Sequence, residues 1–376
     1  MEAKSQAPGA GVTTWRPDYS EDPHPLCAGR QVAGPVRRGV LDGLPVWLVS
    51  GYDNVRRLMA DPRASSDVCH AGPAARAVPW VQADNPHPLL RSMTRQDPPG
   101  HTRLRKLVTQ AFTARRTQAL RPRIQQVTGQ LIAAMLPAGH ADLVGDFALP
   151  LPIAVIMDLL GVPDQRRPDF LYWAGICAGV NEGDLDRRQE ALIQMSGYLD
   201  TLIESKRSQR GGGAGEGDLL DGLIAARDEG DRLSHDELLA MAFLLLVAGY
   251  ETTASLIGNG VLALLHHPDQ MAALRADPAK AGAAVEEFLR YDGPLKIAPR
   301  LRFTTTDIPV AGTVIPAGET VLMFLSAASR DPDRFPDPDV FDIGRDATGH
   351  LGFGHGVHYC LGTRWPGWRR RSPSPP

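Results

Sequence analysis

The sequence has few cysteines, little net charge and no long apolar run, and each shortage excludes something. Its four cysteines, at 27, 69, 177 and 360, are widely scattered and form no CxxC pair. That excludes a zinc module and suits a reducing compartment. A formal net charge of −3 on 376 residues, with signs mixed throughout, provides no basic face for nucleic acid or an anionic membrane. The apolar run through Met241 to Ala248 falls far short of the roughly 18 residues that span a bilayer. Residues 1–14 are polar and rich in Ala, Gly and Pro. They have neither a basic n-region nor an apolar h-region, so a flexible lead is expected there and neither a signal peptide nor an anchor. No internal repeat and no flavin or nucleotide module is visible. The expectation is one large domain over 1–376 in the cytoplasm, with no nucleic-acid or membrane partner.

What is there is mostly helical. After the lead, Val36 to Val49 reads as a β-hairpin around Asp42-Gly43, a dipeptide suited to a type I′ turn. A short helix follows over 52–60 and stops at Asp61-Pro62, and 63–96 reads as a long loop without period. Helical periodicity runs through about 97–112, 117–136, 148–160, 164–180 and 185–209, and Gly211 to Gly217 reads as a flexible connection between helices. Ser234-His-Asp-Glu237 has the form of a capping box and opens a helix to about Leu265. Strands are expected at 295–303 and 314–324. The fold class is therefore mainly α with a small β subdomain built from the hairpin and the 295–324 strands.

Four stretches carry chemistry. Phe353-Gly-His-Gly-Val-His-Tyr-Cys-Leu-Gly362 holds one cysteine, Cys360, behind glycines that allow unusual φ and close backbone approach. A thiolate among exposed N–H groups suits a soft metal ligand; a glycine-rich surface loop with a free cysteine is the alternative. In Asp97-Pro-Pro-Gly-His-Thr-Arg-Leu-Arg105, His101 and Arg105 lie four apart on one helix face, either as anion-binding donors or as a solvated surface. In Ala248-Gly-Tyr-Glu-Thr-Thr253, Glu251 follows a buried run, where an acid is costly without a partner or a task. The Thr252 hydroxyl can enter the backbone ladder there. The alternative is the polar end of a core helix. Glu287-Phe-Leu-Arg290 is an i,i+3 pair of ordinary helical type.

Taken together, these stretches resemble the bacterial cytochrome P-450 family of haem-thiolate monooxygenases, motif by motif and over nearly the whole chain to Gly362. The resemblance implies that Cys360 is the axial ligand of haem b and that Glu251 and Thr252 deliver protons during oxygen reduction. By the same resemblance His101, Arg105, Arg302 and His358 hold the haem propionates, Phe353 belongs to the haem-binding segment, and Glu287–Arg290 is a buried structural lock. Arg300, beside Arg302, is the alternative propionate arginine. The implied reaction inserts one atom of O2 into an apolar organic substrate, by hydroxylation or epoxidation, as in secondary-metabolite tailoring. Electrons then come from NAD(P)H through a separate reductase and ferredoxin.

Two departures stand out. Many family members carry arginine at the position of Val340, where it completes a triad with the Glu287–Arg290 pair; Arg334 and Arg345 are the candidates to replace it. From Thr363 on, a stretch rich in Pro, Trp and Arg stands where the family has an amphipathic helix and a β-rich tail. Inserting one C after the Thr363 codon of a GC-rich reverse translation yields Pro-Leu-Ala-Arg-Met-Glu-Ala-Glu-Ile-Ala-Leu, which is helix-forming. A single-base deletion is the expected explanation, with 363–376 out of frame, and resequencing at that codon tests it. An inactive product of a damaged gene, and a haem-binding protein without oxygenase activity, are the alternative functions.

Overall fold

The computed structural model describes residues 13–15, 34–81, 87–111, 114–178, 185–209, 218–228 and 233–364. The glycine-rich connection at 211–217 and the divergent segment 365–376 lie outside them. Two compact units emerge: 1–85 with 295–340 and 350–359, and 86–294 with 341–349 and 360–376.

The first unit is built on a mixed sheet in the order β1-β2-β3-β8-β5-β4. Its strands are β1 (Thr13–Trp15), β2 (Val36–Leu41), β3 (Leu44–Val49), β4 (Ala64–Ser65), β5 (Arg302–Thr304) and β8 (Thr320–Met323). Thr13 and Thr14, expected in the polar lead, already belong to a strand that pairs in parallel with β2. The β2–β3 turn takes φ of 44° at Asp42 and 80° at Gly43, the type I′ signature, and closes Leu41 opposite Leu44. β3 is central and buried on both faces: Trp47 and Val49 join one apolar cluster, Val46 and Leu48 another. The helix α1 (Tyr52–Ala60) packs Val55, Leu58 and Met59 against the first cluster.

Both strands expected at 295–324 form, but shorter. Pro294 and Pro299 withhold ladder donors, so before β5 only Ile297 bridges, to Phe324. Gly318, with φ of 78°, separates β8 from a two-stranded hairpin of β6 (Ile308–Val310) and β7 (Thr313–Ile315). A side chain at Gly72 would collide with the Gly318 carbonyl oxygen, so this crossing requires glycine. The stretch 63–96 holds short helical turns at 68–70, 73–76, 79–81, 88–90 and 93–95 within its loops.

The second unit is helical: α2 (Gly100–Ala111), α3 (Ala114–Met135), α4 (Pro150–Leu160), α5 (Arg167–Ala178), α6 (Leu185–Gln209), α7 (Leu219–Asp228), α8 (His235–His266), α9 (Pro268–Ala276) and α10 (Ala281–Asp292). α8 organises it. The Ser234 hydroxyl accepts the Glu237 N–H at 3.1 Å, and the Glu237 carboxylate accepts the Ser234 N–H at 2.8 Å. The same carboxylate also binds Arg103 of α2. Ser234→Ala is expected to cost about 1 kcal/mol, read as a lower urea midpoint at unchanged slope.

By length and hydropathy α8 could cross a bilayer. In the fold, its side chains from Leu238 to Leu246 instead lie in the main core with α4, α5, α6 and α7. At Gly260 a Cβ would stand 2.5 Å from Phe288 Cδ2, so α10 packs directly on the α8 backbone.

Candidate functional site

In the first unit the loop 353–359 is shaped by Gly354 and Gly356, with φ of 75° and 73°. A Cβ at Gly356 would lie 2.8 Å from the Met59 carbonyl oxygen, so the loop lies against the end of α1. Phe353 meets His350 and Tyr359 edge-on or tilted, with ring centroids 5.5 and 6.4 Å apart. His358 Nε2 shares a 3.0 Å hydrogen bond with Ser66 Oγ, and Ser66 is buried. Sequence reasoning missed Ser66. It lies in an aperiodic loop almost three hundred positions from its partner, so no local signal marks it.

Arg302 on β5 is buried, whereas Arg300 is partly exposed and donates to the Pro299 carbonyl oxygen. Of the two arginines, 302 is therefore the one carried inward by the strand.

In the second unit Cys360 opens the chain's last described turn. Its Sγ accepts the Gly362 N–H at 3.3 Å, and the Thr363 hydroxyl donates to the Cys360 carbonyl oxygen at 2.9 Å. The side chain is exposed by area, yet enough protein crowds it that desolvation pushes the thiol up. The N–H groups of Gly362 and Thr363 and the Arg105 guanidinium oppose that shift. Those three features are what a bound thiolate needs, and a metal removes the thiol proton outright. Among the described residues no cluster of three His, Cys, Asp or Glu could hold an ion by itself. A single thiolate with N–H donors fits a metal that brings its other ligands with it, as haem iron does.

His101 and Arg105 stand one turn apart on α2, His101 almost fully buried and Arg105 partly so. Arg105 acts electrostatically on Cys360, so cation and thiol belong to one neighbourhood.

On α8 the Thr252 hydroxyl donates to the Ala248 carbonyl oxygen at 3.0 Å, and that of Thr253 to Gly249 at 3.1 Å. The helix stays continuous through both. Glu251 is exposed by area, a correction to its expected burial, because α8 turns a face outward just after its buried run. Surrounding groups still desolvate it and raise its pKa above the ordinary carboxylate value.

A group whose folded pKa is raised contributes stability below its unfolded pKa and loses it as pH rises through the folded one. Glu251→Gln is accordingly expected to melt above the parent protein at pH 7. The gain should vanish as the pH falls below the unperturbed value near 4.5. A thermal melt series over pH checks this, and a gain that persists in acid would contradict it.

Glu287 and Arg290 on α10 are fully buried and joined by two 2.7 Å hydrogen bonds. Glu287 also accepts the Asp342 N–H at 3.1 Å, and Arg345 Nε stands 3.5 Å from its Oε1. Arg334, the other candidate, lies over the rings of Tyr52 and Phe335 in the first unit, and Val340 is exposed. The third member of the triad is Arg345.

Comparison with known proteins identifies the family. The cytochrome P450 family model matches residues 164–365. The chain is 50% identical to the cytochrome P450 monooxygenase PikC of Streptomyces venezuelae, over 92% of this chain and 80% of that one. It is 46% identical to a vitamin D(3) 25-hydroxylase of Pseudonocardia autotrophica, over 92% and 83%. Among solved structures, the tirandamycin C-bound P450 monooxygenase TamI superposes with a TM-score of 0.81 at 41% identity, covering 93% of this chain and 87% of that one.

Proposed function

Since the chain belongs to the cytochrome P450 family, we propose that the residues described above carry the family's chemistry in this protein. The enzyme is a haem-dependent tailoring monooxygenase of secondary metabolism, supplied with electrons by external redox partners. When bound, haem b activates O2 and allows one oxygen atom to enter a C–H or C=C bond of the substrate. We assign the remaining tasks to this chain's own side chains.

Cys360 would present its sulfur to the haem iron, held as thiolate by the Gly362 and Thr363 N–H groups and the Arg105 charge. His101, Arg105, Arg302 and His358 serve as donors to the propionates, and Ser66 fixes the ring of His358. Phe353 belongs to the same haem-binding segment. Thr252 uses its proton on the Ala248 carbonyl, which leaves its oxygen free to accept another. Glu251, with its raised pKa, holds a proton and releases it toward the hydroxyl, the task of a positioned acid. Glu287, Arg290 and Arg345 tie the segment before the thiolate loop to α10. The redox partners are a ferredoxin and its reductase, the location is the cytoplasm, and the substrate is a small apolar organic molecule.

The observation that carries the assignment is Cys360 Sγ with its 3.3 Å backbone donor and a cation at hand. The test is a carbon monoxide difference spectrum of the reduced, haem-loaded chain. A long-wavelength Soret band of thiolate ligation is expected, followed by NAD(P)H-dependent product formation with added ferredoxin and reductase. Haem bound without that band would overturn the role of Cys360.

Thr252→Ala supplies a second test. It is expected to keep the band and substrate affinity while product formed per NAD(P)H consumed falls about tenfold or more, within the range of positioned proton transfer.

A further inference from the structure

α5, α6 and α8 meet in the main core, where Cys177, Ala191, Leu192 and Tyr250 are buried together. Arg188 enters the same region from the first turn of α6. A cation there opposes the helix dipole, which favours negative charge at that end. Its neighbour Arg187 lies over Tyr172 and donates to the Tyr172 hydroxyl at 3.1 Å. Arg188 has no such outlet. Its Nε is buried without an acceptor, and among the described residues no carboxylate bonds to it.

The neighbouring groups do not neutralise it. Burial pushes the Cys177 thiol up to about 11, so at neutral pH it supplies no anion. Tyr250 is pushed up to about 12 and stays a phenol. Glu190 accepts from Gln194 at 2.6 Å, and Asp186 is exposed. Desolvation already works against the charge on Arg188. A partly desolvated guanidinium without a counter-ion among the described residues is a cost that an arriving anion relieves, and its planar fork matches a carboxylate best.

We propose that Arg188 is a specificity-determining residue that anchors a carboxylate on an otherwise apolar substrate, beside the Tyr250 turn of α8. Tyr250 immediately precedes Glu251, so an acid held there would lie along the helix that bears the proposed proton donors. This rests on the monooxygenase reading above and narrows its substrate class to apolar organic acids.

The test uses haem-loaded protein and two probes, decanoate and decanamide, titrated by calorimetry. The native chain should bind decanoate more tightly than the amide. Arg188→Gln should weaken decanoate about tenfold to a hundredfold, the worth of one charged hydrogen bond, and leave the amide unchanged. Arg188→Lys should keep part of the preference.

Equal affinity for both probes in the native chain, no binding of either, or a parallel loss of both in Arg188→Gln would overturn the proposal. The last result would mark Arg188 as merely structural. The carbon monoxide spectrum of the same samples separates the two ideas. A missing thiolate band counts against the monooxygenase assignment, whereas calorimetry reports on Arg188 whatever the band shows.

Discussion

Cys360→Ser is expected to abolish the thiolate-type carbon monoxide band and oxygenase activity together while leaving the helical fold intact. The two halves of that result have different causes. Cys360 is exposed by area, and among the described residues its hydrogen bonds reach only Gly362 and Thr363, so its loss removes little packing. The far-ultraviolet spectrum and urea midpoint should therefore match those of the parent chain. The sulfur, in contrast, is the one soft donor assigned to the metal, and a serine hydroxyl has neither its polarisability nor its acidity. Haem, if retained, should show the shorter-wavelength band of a lost thiolate. A variant that kept the long-wavelength band would mean that another cysteine binds the iron, Cys69 and Cys177 being the described alternatives.

The second large effect is on stability. Arg290→Leu leaves the Glu287 carboxylate, fully buried, with the Asp342 N–H and the 3.5 Å contact of Arg345. Glu287→Met leaves the Arg290 guanidinium buried beside Arg345. Each should cost about 3–5 kcal/mol, a large share of the roughly 5–15 kcal/mol that holds a domain. The double variant should lose clearly less than the two added together, because it buries neither charge alone. Arg345→Gln should cost less than either single change, since Arg345 is slightly exposed and only 3.5 Å from the carboxylate. Urea titration of the four proteins decides the matter. Additive losses would show that the buried pair is not coupled.

The parts of the fold legible in the sequence are those whose cause is local. Asp42-Gly43 dictates its own turn, and Ser234 with Glu237 its own cap. The Glu287–Arg290 pair is only three positions apart. What escaped is set by distance or interruption. Nothing near Arg345 distinguishes it from Arg334; the choice is made by where the 341–349 segment crosses α10. Ser66 is found only through His358. The 295–303 strand looked long because its apolar residues alternate, yet with Pro299 inside it only its last two residues join the sheet, as part of β5. Glu251 was expected to be buried because seven of the eight residues before it are apolar, but a helix changes face within two residues. Cys360, Glu251 and Thr252 were singled out by residue type and motif, and geometry adds the donors that make those types useful.

The sheet of the first unit sets the order in which this protein can be completed during synthesis. β3 finds its parallel partner β8, Val49 opposite Met323, only about 270 residues later, a separation that makes folding slow. At about 5–20 residues per second the ribosome takes tens of seconds to deliver that partner. Through that interval the nascent hairpin carries Trp47, Leu48 and Val49 on an unpaired edge, a template for pairing with other chains. The helical unit, whose core draws on residues 89 to 250, is able to assemble first. Recombinant yield should accordingly respond to slower translation and to chaperones that shield strand edges.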